Sequence, residues 1–293
     1  MNFKTELTRK AKQVDQALQS FLPPEDAYPP LIHQAVRYSV LGGGKRLRPV
    51  LALASAEAVG GDTAIVLPAA CSLEMIHAYS LIHDDLPAMD NDDFRRGRPT
   101  CHKAFGEAAA ILAGDALLTL AFGTLAKSDG AAPECIIKVI GEVAFAAGTK
   151  GLIGGQVVDT LSSDEDTDVL TLEYIHSHKT GALYRAAARA GAILAGASHA
   201  QLAALTEYAE HLGMAFQIKD DMLDIEGDEK VIGKPVGSDQ KNKKATYPAL
   251  YGIAGAREKA TQAARSALAA LELFGGEADF LRSLVQYVIN RDF

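Results

Sequence analysis

Between His83 and Thr100 the chain reads HDDLPAMDNDDFRRGRPT, with Asp84, Asp85, Asp90, Asp92 and Asp93 inside ten residues and Arg95, Arg96 and Arg98 directly after them. An apolar run, Ile65 to Ile82, precedes them, and its only formal charge is Glu74. Two carboxylates about 4 Å apart repel by roughly 4 kcal/mol at an effective dielectric near 20. Acids gathered at the end of an apolar helix therefore need a positive partner. Mg²⁺ supplies one, because it takes one or two carboxylates and leaves its other positions to water and phosphate oxygens. Arginines beside such a site suit an oxygen-rich anion such as a diphosphate. Taken alone, the stretch is explained equally well by a solvated acidic loop balanced by arginines.

A second cluster, FQIKDDMLD from Phe216 to Asp224, changes that balance. On a helix, Gln217, Asp220, Asp221 and Asp224 fall at i, i+3, i+4 and i+7, which is one face. Leu202, Leu205, Leu212, Met214, Phe216, Ile218 and Leu223 make the remainder largely apolar. Each cluster ends a long apolar helix, where the negative end of the helix dipole also disfavours carboxylates. Two such clusters facing one another across a cavity could share divalent cations. His77 precedes Asp84 by seven residues, two helical turns, so both lie on one face. The Gly42–Lys45 turn offers backbone N–H groups to an anion.

These residues require helices to carry them, and the composition supplies helices. Of 293 residues, 48% are hydrophobic and 6% aromatic, with no Trp; abundant Ala and Leu favour helix over strand. Helices are expected over 3–20, 31–41, 50–59, 63–85, 107–127, 133–150, 168–196 and 199–225, with two or three shorter ones to finish. Asp62 reads as an N-cap, and Pro87 disturbs the helix that delivers Asp84 and Asp85. GLIGGQVVD extends or kinks the helix before it, and the segments 162–168 and 227–244 read as loops. No β-alternation or repeat is visible. The net charge of −8 argues against a nucleic-acid partner. Cys71, Cys101 and Cys135 are isolated, and no run reads as a membrane span or signal peptide, which fits a reducing cytoplasm.

The motifs resemble, in order and over nearly the whole chain, those of the trans-isoprenyl diphosphate synthases: GGGKRLRP at 42–49, LEMIHAYSLIHDD ending at Asp85, DDLPAMD at 84–90, RRGRPTCH at 95–102, GDALL at 114–118, HKTGAL at 178–183, DDMLD at 220–224 and GKPVGSD at 233–239. Within that family the bacterial (2E,6E)-farnesyl branch is nearest, and the geranylgeranyl enzymes are next. The resemblance implies an all-α, single-domain orthogonal helical bundle around a central cavity, spanning 1–293. It implies Mg²⁺-dependent, head-to-tail addition of isopentenyl diphosphate to dimethylallyl and then geranyl diphosphate. Asp84, Asp90 and Asp220 would hold the metal, as three ions when diphosphate is bound and with Mn²⁺ as the alternative, with Asp85 and Asp224 in support. Arg95, Lys179 and Lys234 would grip the allylic diphosphate, and Thr180 and Gln217 would face the allylic cation. Lys45, Arg48, His77 and Arg96 would hold isopentenyl diphosphate. The released diphosphate, and no side chain, would take the proton. Tyr79 and Ser80, five and four residues before Asp84, would form the floor that limits product length. A homodimer is implied, with the apolar helix 107–127 as the candidate interface. Asn91 stands where relatives commonly carry Asp, and the chain ends in Phe293 where many carry a basic residue, with Arg291 as a substitute.

Rival readings rest on less. Glu74-x-x-His77 and Glu173-x-x-His176 are two pairs of the kind that helical di-iron proteins use, but that reading leaves both aspartate clusters unexplained. A terpene cyclase or inactive subunit of the same fold would not need the isopentenyl-site residues. Lys241, Lys243 and Lys244 are a thin basis for a nucleic-acid or membrane surface.

Overall fold

The computed structural model describes residues 2–162, 168–227 and 246–291. The chain runs through α1 (Phe3–Phe21), α2 (Pro30–Val40), α3 (Leu47–Ala58) and α4 (Thr63–Asp84), then a hairpin of β1 (Phe94–Arg95) and β2 (Arg98–Pro99). It continues through α5 (Cys101–Phe105), α6 (Glu107–Leu125), α7 (Pro133–Ala147), α8 (Leu152–Leu161) and α9 (Val169–Ile175). A π-helical turn, His176–Gly181, leads into α10 (Ala182–Leu194), followed by α11 (His199–Glu226), α12 (Tyr247–Ala270), a 3₁₀ turn at Gly276–Ala278 and α13 (Asp279–Asn290). The fold is all-α, as expected, and 77% helical.

α4 packs against α3, α6 and α10, and α10 in turn against α3, α7 and α11. Covered on several sides, α4 shows no single apolar face, and its apolar character runs all round. Asp62 caps it by accepting from Ala64 N–H at 2.9 Å. The helix ends at Asp84, ahead of Pro87, so that Asp85 is its C-cap. Leu51, Leu53, Leu73, Met75 and Ile76 between α3 and α4 are fully buried, each such side chain contributing about 1.5–3 kcal/mol. Among the described residues two helices are long and apolar enough to cross a membrane, α4 and α6. The relevant windows are 78% and 44% buried within the protein, which makes α4 a core helix.

Several elements depart from the expectation. The helix foreseen over 168–196 is interrupted by the π turn, placing Lys179, Thr180 and Gly181 on irregular backbone. Gly155 permits this: a Cβ there would lie 2.2 Å from the Lys179 backbone nitrogen. The closing region begins with a helix of 24 residues, kinked where Gly252 takes φ +68°, instead of only short ones. The hairpin escaped notice because two-residue strands have no alternation to read. Arg96 and Gly97 form its turn, both at positive φ (53° and 71°), as a type I′ turn requires. Asn91 also lies at φ 53°, a conformation that Asn tolerates better than most residues.

Arg46 knits the first four helices together. It is 3% exposed and occupies φ 52° at the N-cap of α3. Its Nε donates to Asp15 Oδ1 at 2.8 Å, Nη1 to Glu74 Oε1 at 2.6 Å and Nη2 to the Val40 carbonyl at 2.7 Å. Those partners sit on α1, α4 and α2. Removing one member of a buried pair strands the other charge, so Arg46→Met is expected to cost about 3–5 kcal/mol of unfolding free energy. Urea titrations should also find R46M/E74M more stable than R46M; equal stabilities would show that Glu74 is not what the arginine neutralises.

Candidate active site

A cavity of about 740 Å³ opens between the α2–α3 turn, the hairpin, α4, the π turn and α11. Lys45, Arg48, His77, Arg95, Arg96, Lys179, Thr180, Gln217, Asp220 and Asp224 all line it, together with Asp92, Asp159, His176, Tyr184, Asp221 and Arg291. Residues as far apart in the chain as Lys45 and Arg291 thus share one cavity. From the first cluster Asp92 lines the cavity, whereas Asp84 and Asp90, both half-buried, are not among its lining residues. The Asp90 N–H donates to the Asp84 carbonyl at 2.8 Å, folding the cluster into a turn. Tyr79 and Ser80 sit deeper on α4, 5% and 8% exposed. The Tyr79 ring stands edge-on to His83, and its buried hydroxyl has no hydrogen-bond partner. Burial, then Asp84, pushes its pKa up to about 12.

Arg95, Lys179 and Arg291 are held by acids. Arg95 grips Asp85 with Nε at 2.8 and 2.9 Å and Nη2 at 2.5 Å. Despite burial, Asp85, Asp84 and Asp92 hold its charge more firmly than usual. Lys179 Nζ lies 2.5 Å from Asp159 Oδ2. Arg291 donates to Asp220 Oδ1 at 2.6 Å and to the Phe216 carbonyl at 3.0 Å, with its guanidinium over the Phe216 ring. Arg48 lies over the Tyr184 ring at 4.9 Å, and its Nε is buried without a hydrogen-bond partner. Arg96 reaches back across Gly44, where any Cβ would meet its guanidinium, and donates to the Gly43 carbonyl. Burial, and after it Arg48, Arg96, Arg95 and Arg46, press the His77 pKa well below its ordinary value, so its imidazole is neutral.

On the opposite wall, Thr180 Oγ1 donates to Gln217 Oε1 at 2.8 Å and Gln217 Nε2 to Asp221 Oδ1 at 3.0 Å. His176 is buried, its Nε2 3.6 Å from Asp221 Oδ2 and its ring stacked on Tyr247; burial takes its pKa down to about 3. The two Glu-x-x-His pairs do not assemble a di-iron ligand set, because Glu74 is held by Arg46 and His176 lies against Asp221 and Tyr247. Among the described residues no three His, Cys, Asp or Glu side chains converge into a metal cage. Mg²⁺ needs none, since phosphate and water complete its shell. The donors suit a hard cation, and at Asp220 a guanidinium already supplies positive charge to one carboxylate oxygen. Lys234, the GKPVGSD motif, Lys241, Lys243, Lys244 and Phe293 lie outside the described residues.

Sequence reasoning did not single out Asp159, Tyr184 or the structural role of Arg46, and it placed Asp221 on the acidic face of α11 without a role or a partner. The only hint at Asp159 was a lone acid in the apolar stretch GLIGGQVVD. Arg46 looked like one member of a solvated basic turn, and only its partners on other helices distinguish it.

Residues 29–274 match the polyprenyl synthetase family model. The chain is 51% identical over 255 residues to the farnesyl diphosphate synthase of Geobacillus stearothermophilus, covering 86% of each. It is 45% identical over 293 residues to the geranylgeranyl diphosphate synthase of Cyanophora paradoxa, covering 99% of this chain and 97% of that one. A solved FPP/GFPP synthase from Zymomonas mobilis superposes with a TM-score of 0.86 at 38% identity, over 98% of this chain and 99% of its own.

Lys45 makes the pocket sensitive to pH. Burial and then Arg291 lower its pKa to about 8, against the opposing pull of Asp220. The ammonium is present below that pH and is lost above it, so affinity for inorganic pyrophosphate should fall as pH rises through 8. Calorimetric titrations from pH 7 to 9 should show a shallower fall for Lys45→Arg, whose charge persists; the ionisation of pyrophosphate itself is common to both proteins. Identical profiles would remove Lys45 from the anion site.

Proposed function

The chain belongs to the polyprenyl synthetase family and is a prenyltransferase, and from that premise we propose that it condenses isopentenyl diphosphate with dimethylallyl and then geranyl diphosphate to give farnesyl diphosphate. The observation that carries this reading is the single cavity in which cations from the α2–α3 turn, the hairpin and the π turn meet the second acidic cluster. Nearly all cations that could grip two diphosphates face one space, while the acids that could hold divalent metal border it.

In this reading Arg95 and Lys179, with Lys234, hold the allylic diphosphate, each described one turning from its carboxylate toward the ligand. Lys45, Arg48, His77 and Arg96 receive the diphosphate of the second substrate, with neutral His77 acting through hydrogen bonds. Asp84, Asp90 and Asp220 hold Mg²⁺, in three ions when diphosphate is bound, and Mn²⁺ can substitute; Asp85 anchors Arg95 and Asp224 backs Asp220. The metal, when bound, acts as a Lewis acid that neutralises the departing diphosphate. Thr180 and Gln217 turn oxygens toward the positive charge left on the allyl group. The second substrate's double bond attacks that carbon, and the proton then lost passes to the released diphosphate. The whole chain acts as one synthase domain.

In this reading the C15 product rests on Tyr79, whose bulky ring, one turn below the acidic cluster on α4 and outside the lining of the cavity as described, would close the path of a longer chain. Geranylgeranyl diphosphate is the second reading, favoured by the extent of the match to the Cyanophora paradoxa relative. Purified protein supplied with labelled isopentenyl diphosphate and each allylic primer should stop at C15 and lose turnover in EDTA, and Tyr79→Ala should yield longer products. A C20 product from the unaltered protein would transfer the assignment to the second reading, and turnover unaffected by EDTA would remove the metal.

A homodimer completes the proposal. Ile111 and Leu112 of α6 are 45% and 58% exposed, and Ile137 and Phe145 of α7 are 69% and 53% exposed. Joining two copies through α6 and α7 would cover these apolar side chains. Light scattering should report twice the chain mass, and Leu112→Glu with Phe145→Glu should halve it; a monomeric unaltered protein would dismiss the interface.

A further inference from the structure

Asp221 is 3% exposed and stands where three elements meet, yet neither the metal set nor the diphosphate clamps use it. The Tyr247 N–H, at the start of α12, donates to its Oδ2 at 3.0 Å. On its other side Gln217 Nε2 donates to Oδ1 at 3.0 Å, and Thr180 Oγ1 donates to Gln217 Oε1 at 2.8 Å. The directions follow from the groups themselves. A backbone N–H only donates and a carboxylate only accepts. Gln217 must therefore turn its NH₂ toward Asp221 and its carbonyl oxygen toward Thr180. Thr180 has one hydroxyl proton, and that oxygen receives it. What Thr180 has left for the cavity is lone pairs, and Gln217 likewise presents the oxygen end of its amide. Both residues line the cavity. His176 is stacked on Tyr247, with its Nε2 3.6 Å from Asp221 Oδ2.

We propose that Asp221 is a positioning residue: anchored by the Tyr247 N–H, it orients the Gln217 amide and the Thr180 hydroxyl so that both offer electron-rich oxygen to an allylic cation. The inference rests on the prenyl-transfer reading above and adds to it the element that decides the sign of the dipoles.

Asp221→Asn tests this, because its shape is retained while one acceptor becomes a donor. The single Asn oxygen goes to the Tyr247 N–H, and its NH₂ then faces Gln217. The Gln217 amide turns over, Thr180 accepts from it, and the threonine proton swings toward the cavity. Two probes separate the consequences in the presence of Mg²⁺: an allylic ammonium diphosphate that carries the positive charge of the cation, and an uncharged-tail allylic thiodiphosphate. Calorimetry of Asp221→Asn should show affinity for the ammonium probe falling about tenfold, at the low end of the effect of one misdirected electrostatic group in an active site, with the thiodiphosphate affinity unchanged. Thr180→Val should show the same selective loss, and Asp221→Asn should add little on top of it. Equal weakening of both probes in Asp221→Asn would overturn the inference, since a general structural or metal-binding role does not distinguish them. An unaltered ammonium affinity in Thr180→Val would overturn it even if Asp221→Asn did not fold. An unaltered protein that binds neither probe would overturn the prenyl-transfer reading itself.

Discussion

Opposite charges pressed against each other across a water-accessible cavity are the interaction on which the rest depends. Arg95 lies on Asp85, Lys179 on Asp159 and Arg291 on Asp220. Each pair solves the same problem: a cation held ready for an anionic ligand is costly to bury unless an acid compensates it. The carboxylates stabilise the cations in the structure described. Under the proposed function a bound diphosphate would take the cations over, an exchange of partners that would leave the helices in place and keep the preorganisation that electrostatic catalysis requires.

That exchange demands a frame that does not move, and Arg46 supplies much of it. Its guanidinium reaches α1, α2 and α4 from the N-terminus of α3, so the adjacent Lys45 and Arg48 project from a fixed base into the cavity. The left-handed conformation of Arg46 and the bare α-carbon of Gly44 are the local costs. Both are met because the ion pair with Glu74 is buried and well directed, and because Arg96 fills the space that a side chain at residue 44 would have taken. Arg46 braces the scaffold at the edge of the cavity that Lys45 and Arg48 also line.

The opposite wall is arranged by backbone irregularity. The π turn from His176 to Gly181 adds a residue to one turn of helix, and such turns often mark functional sites. Here it brings Lys179 to Asp159 and Thr180 to Gln217, and Gly155 on α8 leaves room for the displaced backbone. Through Asp221 the same wall is tied to the beginning of α12, far along the chain.

The sequence by itself determined the helical class, the two acidic helix ends, the facing of Gln217, Asp220, Asp221 and Asp224, and the shared face of His77 and Asp84. These are consequences of periodicity, capping and local charge, which act within a few residues. Much of the assignment of roles came from resemblance of motifs, and the family match supports the prenyltransferase class. Only the tertiary structure decided that Arg46 is a buried brace while Lys45 and Arg48 line the cavity, that Arg95 is held by Asp85, that Asp159 is the partner of Lys179, and that Arg291 returns from the far end of the chain to Asp220. Residue type shows that a charge is present, but its partner is set by which helices pack together, and packing joins positions that have no regular spacing in the chain.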